Sequence, residues 1–225
     1  MKLIDDNFQF DARLPAILLE ELRQCIGKKI HSMAFHRGAF DVRAANTFEC
    51  FGSIRLTLIE HKKHFTHVDI ESLFGTNKLP LTDFGALGIK IHYEPHKKLS
   101  ERIGLTKQID NYFISSVSGF GESPISSFKF YGNSQSGSLN KLDPDMTVEY
   151  LKENFGTNEY PEIKCESIEF VVIEQVDLVN IIIIPVAEGF KIIVQPKGFN
   201  NNFEGYYSIV NGYNKNIVLQ HMIAD

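Results

Sequence analysis

Alternating apolar and polar residues indicate that strands make up much of this chain. In residues 87–93 every second position is apolar, namely Leu87, Ile89 and Ile91, which is typical of a half-buried strand. Apolar and aromatic runs bounded by turn residues predict further strands at 167–174, 180–185, 190–195, 206–210 and 217–222.

One predicted hairpin is apolar on both faces. Residues 181–184 and 192–194 have no polar position, and Ala187 to Gly189 would form the short connection between them. A strand that is apolar at every position must be covered on both sides. We therefore expect this hairpin at the centre of a sheet, with a helix or another sheet packed against it.

The clearest hairpin joins residues 53–60 to 65–72. We expect the register that pairs apolar residues with apolar residues and polar residues with polar residues. It requires an odd-length connection around 62–64. Apolar residues then share one face and charged or polar residues share the other. The predicted pairs are Leu58 with Val68, Leu56 with Ile70, Arg55 with Glu71 and Thr57 with Asp69.

An N-terminal helix is predicted from apolar residues spaced by three and four. Pro15 suits a first helical position, and Gly27 suits a left-handed C-terminal cap. Polar residues Glu20, Arg23 and Gln24 fall on the outer face, so the apolar stripe should pack against a sheet. The stripe consists of Leu14, Ile17, Leu18, Leu22, Cys25 and Ile26.

A second, short helix is predicted near 144–155. Asp143 suits the cap, Pro144 suits the first position, and Gly156 suits the end. Val148, Leu151 and Phe155 would share its buried face.

Together these elements predict an α+β fold, mainly antiparallel sheet built of hairpins, in a single domain over 1–225. The stretch 131–140 is rich in Gly, Ser and Asn, so we expect a flexible loop there that marks a candidate sub-domain boundary. Residues 99–117 fit either a helix or a strand.

Composition narrows the function classes. The 225 residues carry a formal net charge of -5, which argues against a dedicated nucleic-acid binder. The longest apolar run is too short for a membrane span, and we expect no secretory signal. Three widely spaced cysteines contain no Cys-x-x-Cys motif and suit a reducing compartment. We expect a cytoplasmic protein without a cofactor.

A histidine cluster offers candidate metal ligands. His61, His64 and His67 are spaced by three, and Asp69 lies nearby. Imidazole and carboxylate bind zinc, iron or manganese. On a strand, however, side chains alternate, so only His61, His67 and Asp69 could share a face. A polar hairpin end is the favoured interpretation.

A second motif could hold a divalent ion. Pro144-Asp145 and Glu162-Ile163-Lys164 fit the loose pattern Pro-Asp followed by Glu-x-Lys, and in those residues the chain resembles the PD-(D/E)xK nucleases. The resemblance implies that Asp145 and Glu162 hold the ion while Lys164 assists the attacking water. The favoured alternative makes Asp145 a helix-start charge and the other two solvated strand residues.

Two further segments have the composition of binding surfaces. Aromatic residues are mixed with asparagines in 198–207, which suits a recognition loop or a loop folded back onto the core. The pairs Lys62-Lys63 and Lys97-Lys98 could form an anion-binding surface, although two solvated turns are the favoured interpretation. The candidate recognition residues are Phe199, Phe203, Tyr206 and Tyr207.

The sequence therefore predicts a non-catalytic protein-binding module. An immunity-type protein that neutralises a toxin is the specific version, since mild acidity would complement a basic nuclease toxin. We expect a protein partner, no nucleic acid and no membrane. The alternative is a divalent-metal-dependent hydrolase or nuclease.

Overall fold

Fourteen strands and two helices make up the part of the chain that the computed structural model describes. The described residues are 2–3, 9–12, 14–36, 41–44, 47–60, 64–72, 87–95, 112–113, 123–138, 147–156, 158–160, 162–176, 179–186, 189–196 and 218–224. The helices are α1 (Ala16–Arg23) and α2 (Val148–Phe155). The strands are β1 (Lys2–Leu3), β2 (Gln9–Ala12), β3 (Lys29–His36), β4 (Asp41–Ala44), β5 (Thr47–Phe51), β6 (Ile54–Glu60), β7 (His64–Ser72), β8 (Leu87–Pro95), β9 (Tyr112–Phe113), β10 (Ile125–Ser138), β11 (Glu162–Gln175), β12 (Val179–Val186), β13 (Gly189–Pro196) and β14 (Val218–Ala224).

The larger sheet has nine of these strands and branches at β11. One edge of β11 pairs with β10, which pairs in turn with β14. The other edge is shared, since Val171 to Glu174 pair with β12 and Lys164 to Ser167 pair with β2. The sheet continues from β12 through β13 and β5 to β4, and from β2 to β1. Only the β11–β2 pair among these described pairs is parallel, so the predicted antiparallel α+β fold is confirmed.

The second sheet is antiparallel in the order β8-β7-β6-β3-β9. Its β6–β7 hairpin confirms the predicted faces and corrects the predicted register. Leu56 faces Val68, and Arg55 faces Asp69 where Glu71 was expected. The shift brings Glu60 opposite His64, and it lets Arg55 and Asp69 form an ion pair across the two strands.

The main core fills the space between the two sheets. Phe128, Phe130 and Ile183 of the larger sheet pack in one cluster with Leu56 and Val68 of the second sheet. Each such side chain contributes about 1.5–3 kcal/mol when fully buried. Face-to-face packing of the two sheets thus supplies most of the described apolar burial.

The β12–β13 hairpin lies centrally, as its apolar sequence predicts. Ile181 and Ile183 point into the main core, whereas Ile182, Ile184 and Ile193 belong to a separate buried cluster on the opposite face. Its connection is shorter than expected, because Gly189 already pairs with Val186. A Cβ at Gly189 would overlap the carbonyl oxygen of Cys50 and lie 2.8 Å from Cα of Phe51, so only glycine lets β5 approach this closely.

The N-terminal helix is confirmed, but it begins at Ala16, and Pro15 is its N-cap rather than its first helical position. Its buried face also differs from the prediction. Leu18, Leu22 and Cys25 are buried, but Ile17 is 73% exposed and lies outside the apolar stripe. Gly27 adopts a positive φ of 81°, and its N–H donates to the carbonyl of Ile125 at 2.9 Å. This bond ties the end of the helical turn to β10.

The second helix begins later than predicted. Thr147 has extended backbone angles and accepts a hydrogen bond from the Tyr150 N–H at 3.2 Å, so it caps a helix that starts at Val148. Asp143 and Pro144 lie outside the described residues. Gly156 ends the helix with φ 70°, as expected. Leu151 is fully buried, but Val148, which was predicted on the same buried face, is exposed.

The flexible loop expected over 131–140 is wrong for residues 131–138. They form the second half of β10 and pair with β11 from Tyr131–Phe170 to Ser138–Glu162. Ladder hydrogen bonds and the partner strand override the weak strand propensity of Gly, Ser and Asn. The strand predicted at 87–93 is confirmed and runs to Pro95. In the ambiguous stretch 99–117, Tyr112–Phe113 form a short strand. The strand predicted at 206–210 lies outside the described residues.

Candidate functional site

The predicted ligand Asp69 forms an ion pair with Arg55 on the face of the second sheet that points away from the main core. Asp69 Oδ1 accepts from Arg55 Nε at 2.6 Å, and Oδ2 accepts from Nη2 at 2.7 Å. The Asp69 side chain is only 6% exposed. Two charge-assisted bonds therefore engage both carboxylate oxygens with a permanent cation.

His67 lies beside this pair and is also buried. Its Nδ1 is 3.2 Å from Thr57 Oγ1, while Nε2 of the half-exposed His92 is 3.4 Å from Asp69 Oδ2. His61 lies outside the described residues. Within the described segments no group of three or more His, Cys, Asp or Glu is arranged to hold a metal ion. The site of His61, His67 and Asp69 stays a prediction.

The nuclease-like residues are only partly described. Glu162 is exposed at the start of β11 and pairs with Ser138, and the backbone of Lys164 pairs with Gln9 and Ser136. Asp145 lies outside the described residues, so this constellation also stays a prediction.

The candidate recognition residues Phe199, Phe203, Tyr206 and Tyr207 lie outside the described residues. The segment that contains them joins Pro196 of β13 to Val218 of β14. Lys62-Lys63 and Lys97-Lys98 lie outside as well. The strands that precede these lysine pairs belong to one sheet, and β7 and β8 pair at His64 and Pro95.

Buried cysteines offer no reactive thiol in the described core. Cys25 and Cys50 are both free and buried. Desolvation by burial raises the pKa of Cys25 to about 11 and that of Cys50 to about 12. Both therefore stay protonated near neutral pH and serve as small apolar core residues.

An exposed surface forms where α1 meets the edge strand β8. We define the α1–β8 surface as Ile17, Glu20, Glu21, Gln24 and Tyr93. Ile17, Glu20 and Glu21 of α1 recur at three-and-four spacing with Gln24, the C-cap residue, and so lie on one side of the helix. Ile17 is 73% exposed and Tyr93 is 52% exposed, so two large apolar groups face solvent beside two carboxylates.

Tyr93 is held in place by neighbours from two directions. Its hydroxyl donates to Gln24 Oε1 at 3.4 Å, and Lys28 Nζ lies 5.6 Å from its ring centroid, within cation–π range. Lys28 Nζ also donates to Thr66 Oγ1 at 2.8 Å, which anchors the cation on β7. The aromatic ring is thus positioned before any partner arrives.

The electrostatics keep the Tyr93 hydroxyl neutral. Burial raises its pKa above 10, and nearby Cys25 and Glu21 raise it further. A neutral hydroxyl can both donate and accept a hydrogen bond. The sequence predicted the polar outer side of α1 but not that Tyr93 lies beside it, because β8 meets the helix only in the folded chain.

A second group of exposed apolar side chains lies on β14. Val218, Leu219 and Met222 are exposed, with Met222 at 57%. The sequence predicted this strand but not its position at the outside of the larger sheet, because strand order depends on long-range pairing.

No family model matches the chain, and neither a curated protein nor a solved structure does so. Neither of the two described helices has the length and hydropathy needed to cross a membrane.

Proposed function

We propose that this protein acts by binding another protein through the α1–β8 surface. The observation that carries the proposal is the exposed Tyr93, held by Gln24 and Lys28 on the same surface as Ile17. Tyrosine is enriched among residues that dominate binding energy, since it supplies a large contact area and one polar group. A ring already fixed in position loses little conformational entropy on binding.

The charge of the surface suggests the chemistry of the partner. Glu20 and Glu21 belong to the α1–β8 surface, and the whole chain carries a net charge of -5. The Glu20–Arg23 ion pair is well exposed and therefore weak, so Glu20 remains free to approach another cation. A basic protein surface would complement this arrangement and associate faster.

The specific version of the proposal is an immunity-type protein whose partner is a basic toxin. In this version of the proposal the protein acts in the cytoplasm, where the free thiols of Cys25 and Cys50 would stay reduced. The metal-dependent hydrolase stays a prediction, because Asp145 and His61 lie outside the described residues.

Affinity capture from the organism that encodes the chain tests this proposal. We expect tagged wild-type protein to retain a basic protein in stoichiometric amount. The variants Tyr93→Ala and Ile17→Glu should each lose that protein. Val148→Glu on α2 is the matched control, since Val148 is also an exposed apolar residue outside the surface. Wild-type protein that retains no stoichiometric partner would contradict the proposal, as would a partner that the Tyr93 variant holds equally well. Circular dichroism on each variant separates lost binding from lost folding.

A further inference from the structure

Strand β14 is the outermost strand of the larger sheet at the end next to β10. It pairs with β10 from Ser127–Ala224 to Gly132–Val218, and no other described strand pairs with it. Its register shift lies opposite Tyr131, so His221 to Ala224 form a regular stretch. A regular outer strand presents backbone N–H and C=O groups to any strand that can approach it.

The composition of β14 is unusual for an outer strand. Its sequence, VLQHMIA, contains no Lys, Arg, Asp, Glu or Pro. By contrast, β8 contains Lys90, Glu94 and Pro95, and β4 contains Asp41 and Arg43. Charged residues and proline on an outer strand discourage unwanted pairing. Because β14 lacks them and exposes Leu219 and Met222, it is suited to pairing with another strand.

The same composition favours a second copy of the chain as that strand. In a twofold symmetric, antiparallel pair the same sequence runs along both sides of the contact. Like charges facing each other across such a pair would be destabilising, and an uncharged strand avoids this repulsion. We propose that β14 pairs antiparallel with β14 of a second copy, so that two nine-stranded sheets become continuous.

The faces of β14 define what the contact would cover. Ile223 points into the main core and pairs with Phe128, while Met222 pairs with Lys129 on the opposite face. In the dimer, Met222 and Leu219 would pack against the same residues of the second copy and lose their exposure to water. This proposal uses a different strand from the α1–β8 surface and stands independently of it.

Sedimentation velocity over a concentration series tests the proposal on the full chain. We expect the wild-type protein to form dimers as concentration rises. Met222→Lys should weaken the dimer by about tenfold or more, equivalent to about 1.4 kcal/mol, because each copy would then bring a lysine into the apolar contact. Met222→Leu, which stays apolar, should dimerise like wild type, and so should Val148→Lys, which adds the same charge on α2.

Thermal unfolding of each variant verifies that the chain still folds. A wild-type protein that stays monomeric at every concentration would overturn the proposal. So would a dimer that Met222→Lys leaves unchanged. Loss of the dimer leaves capture through Tyr93 unaffected, so the two proposals fail separately.

Discussion

Arg55 and Asp69 face each other across β6 and β7 and form two hydrogen bonds of 2.6 and 2.7 Å. The Asp69 side chain is almost completely buried, whereas the Arg55 side chain is 27% exposed. Half-exposed His92 approaches the same carboxylate at 3.4 Å. Substitutions that break this pair should therefore lower the stability of the protein.

Asp69→Asn should destabilise the protein by about 2 kcal/mol. Breaking a fully buried ion pair costs about 3–5 kcal/mol, and the partial exposure of Arg55 reduces that cost. The free energy of unfolding in urea measures the loss. Glu71→Gln is the matched control, because the exposed Glu71–Lys90 pair should contribute about 0–1 kcal/mol. Equal losses of unfolding free energy in the two variants would show that burial does not make the Arg55–Asp69 pair more stabilising than the exposed pair.

Gly189→Ala should destabilise the protein by about 3 kcal/mol. The new methyl group would overlap the Cys50 carbonyl, so β13 and β5 would have to separate. Chemical denaturation again measures the effect. Gly156→Ala is the comparison, since its positive φ costs about 1 kcal/mol but its Cβ would meet open space. The expectation is wrong if the two alanine variants are equally stable.

The buried thiols should make stability fall as pH rises above 9. Below pH 9.0, the ordinary thiol pKa, Cys25 and Cys50 are neutral in both the folded and the unfolded chain and contribute no pH dependence. Above it the unfolded chain ionises first, because folding raises the two pKa values to about 11 and about 12. The folded state then loses relative stability until those values are reached.

Cys50→Ala isolates this effect from other groups that titrate at high pH. Its free energy of unfolding should fall less steeply than that of the wild type between pH 9 and about 12. Parallel slopes for the two proteins would rule out a contribution from Cys50. A thiol reagent applied at neutral pH should leave Cys25 and Cys50 unmodified until denaturant is added.

Local patterns predicted the helices and strands better than they predicted which residues of each element are buried. Alternation found β8, and the doubly apolar sequence of β12 predicted its central place, because burial acts directly on side-chain type. The spacing places both Ile17 and Leu18 in the buried stripe of α1, but only Leu18 is buried and Ile17 is exposed. Helical spacing alone cannot decide how far round the helix its covered face extends.

Long-range pairing explains what the sequence could not predict. Residues 131–138 suggest a loop by composition but form a strand, since β11 supplies the hydrogen bonds they would otherwise lack. The α1–β8 surface combines residues such as Gln24 and Tyr93 that are far apart in the chain. The β14 edge likewise depends on which strand lies outermost.

The branched edge of β11 affects the order in which the protein can assemble during synthesis. Gln9 of β2 is synthesised long before its partner Lys164, which lies far along the chain. The β12 part of the same edge is a neighbour in sequence and can join quickly. Contacts between distant segments form slowly, so β2 should pair with β11 late in folding, after β12 has done so.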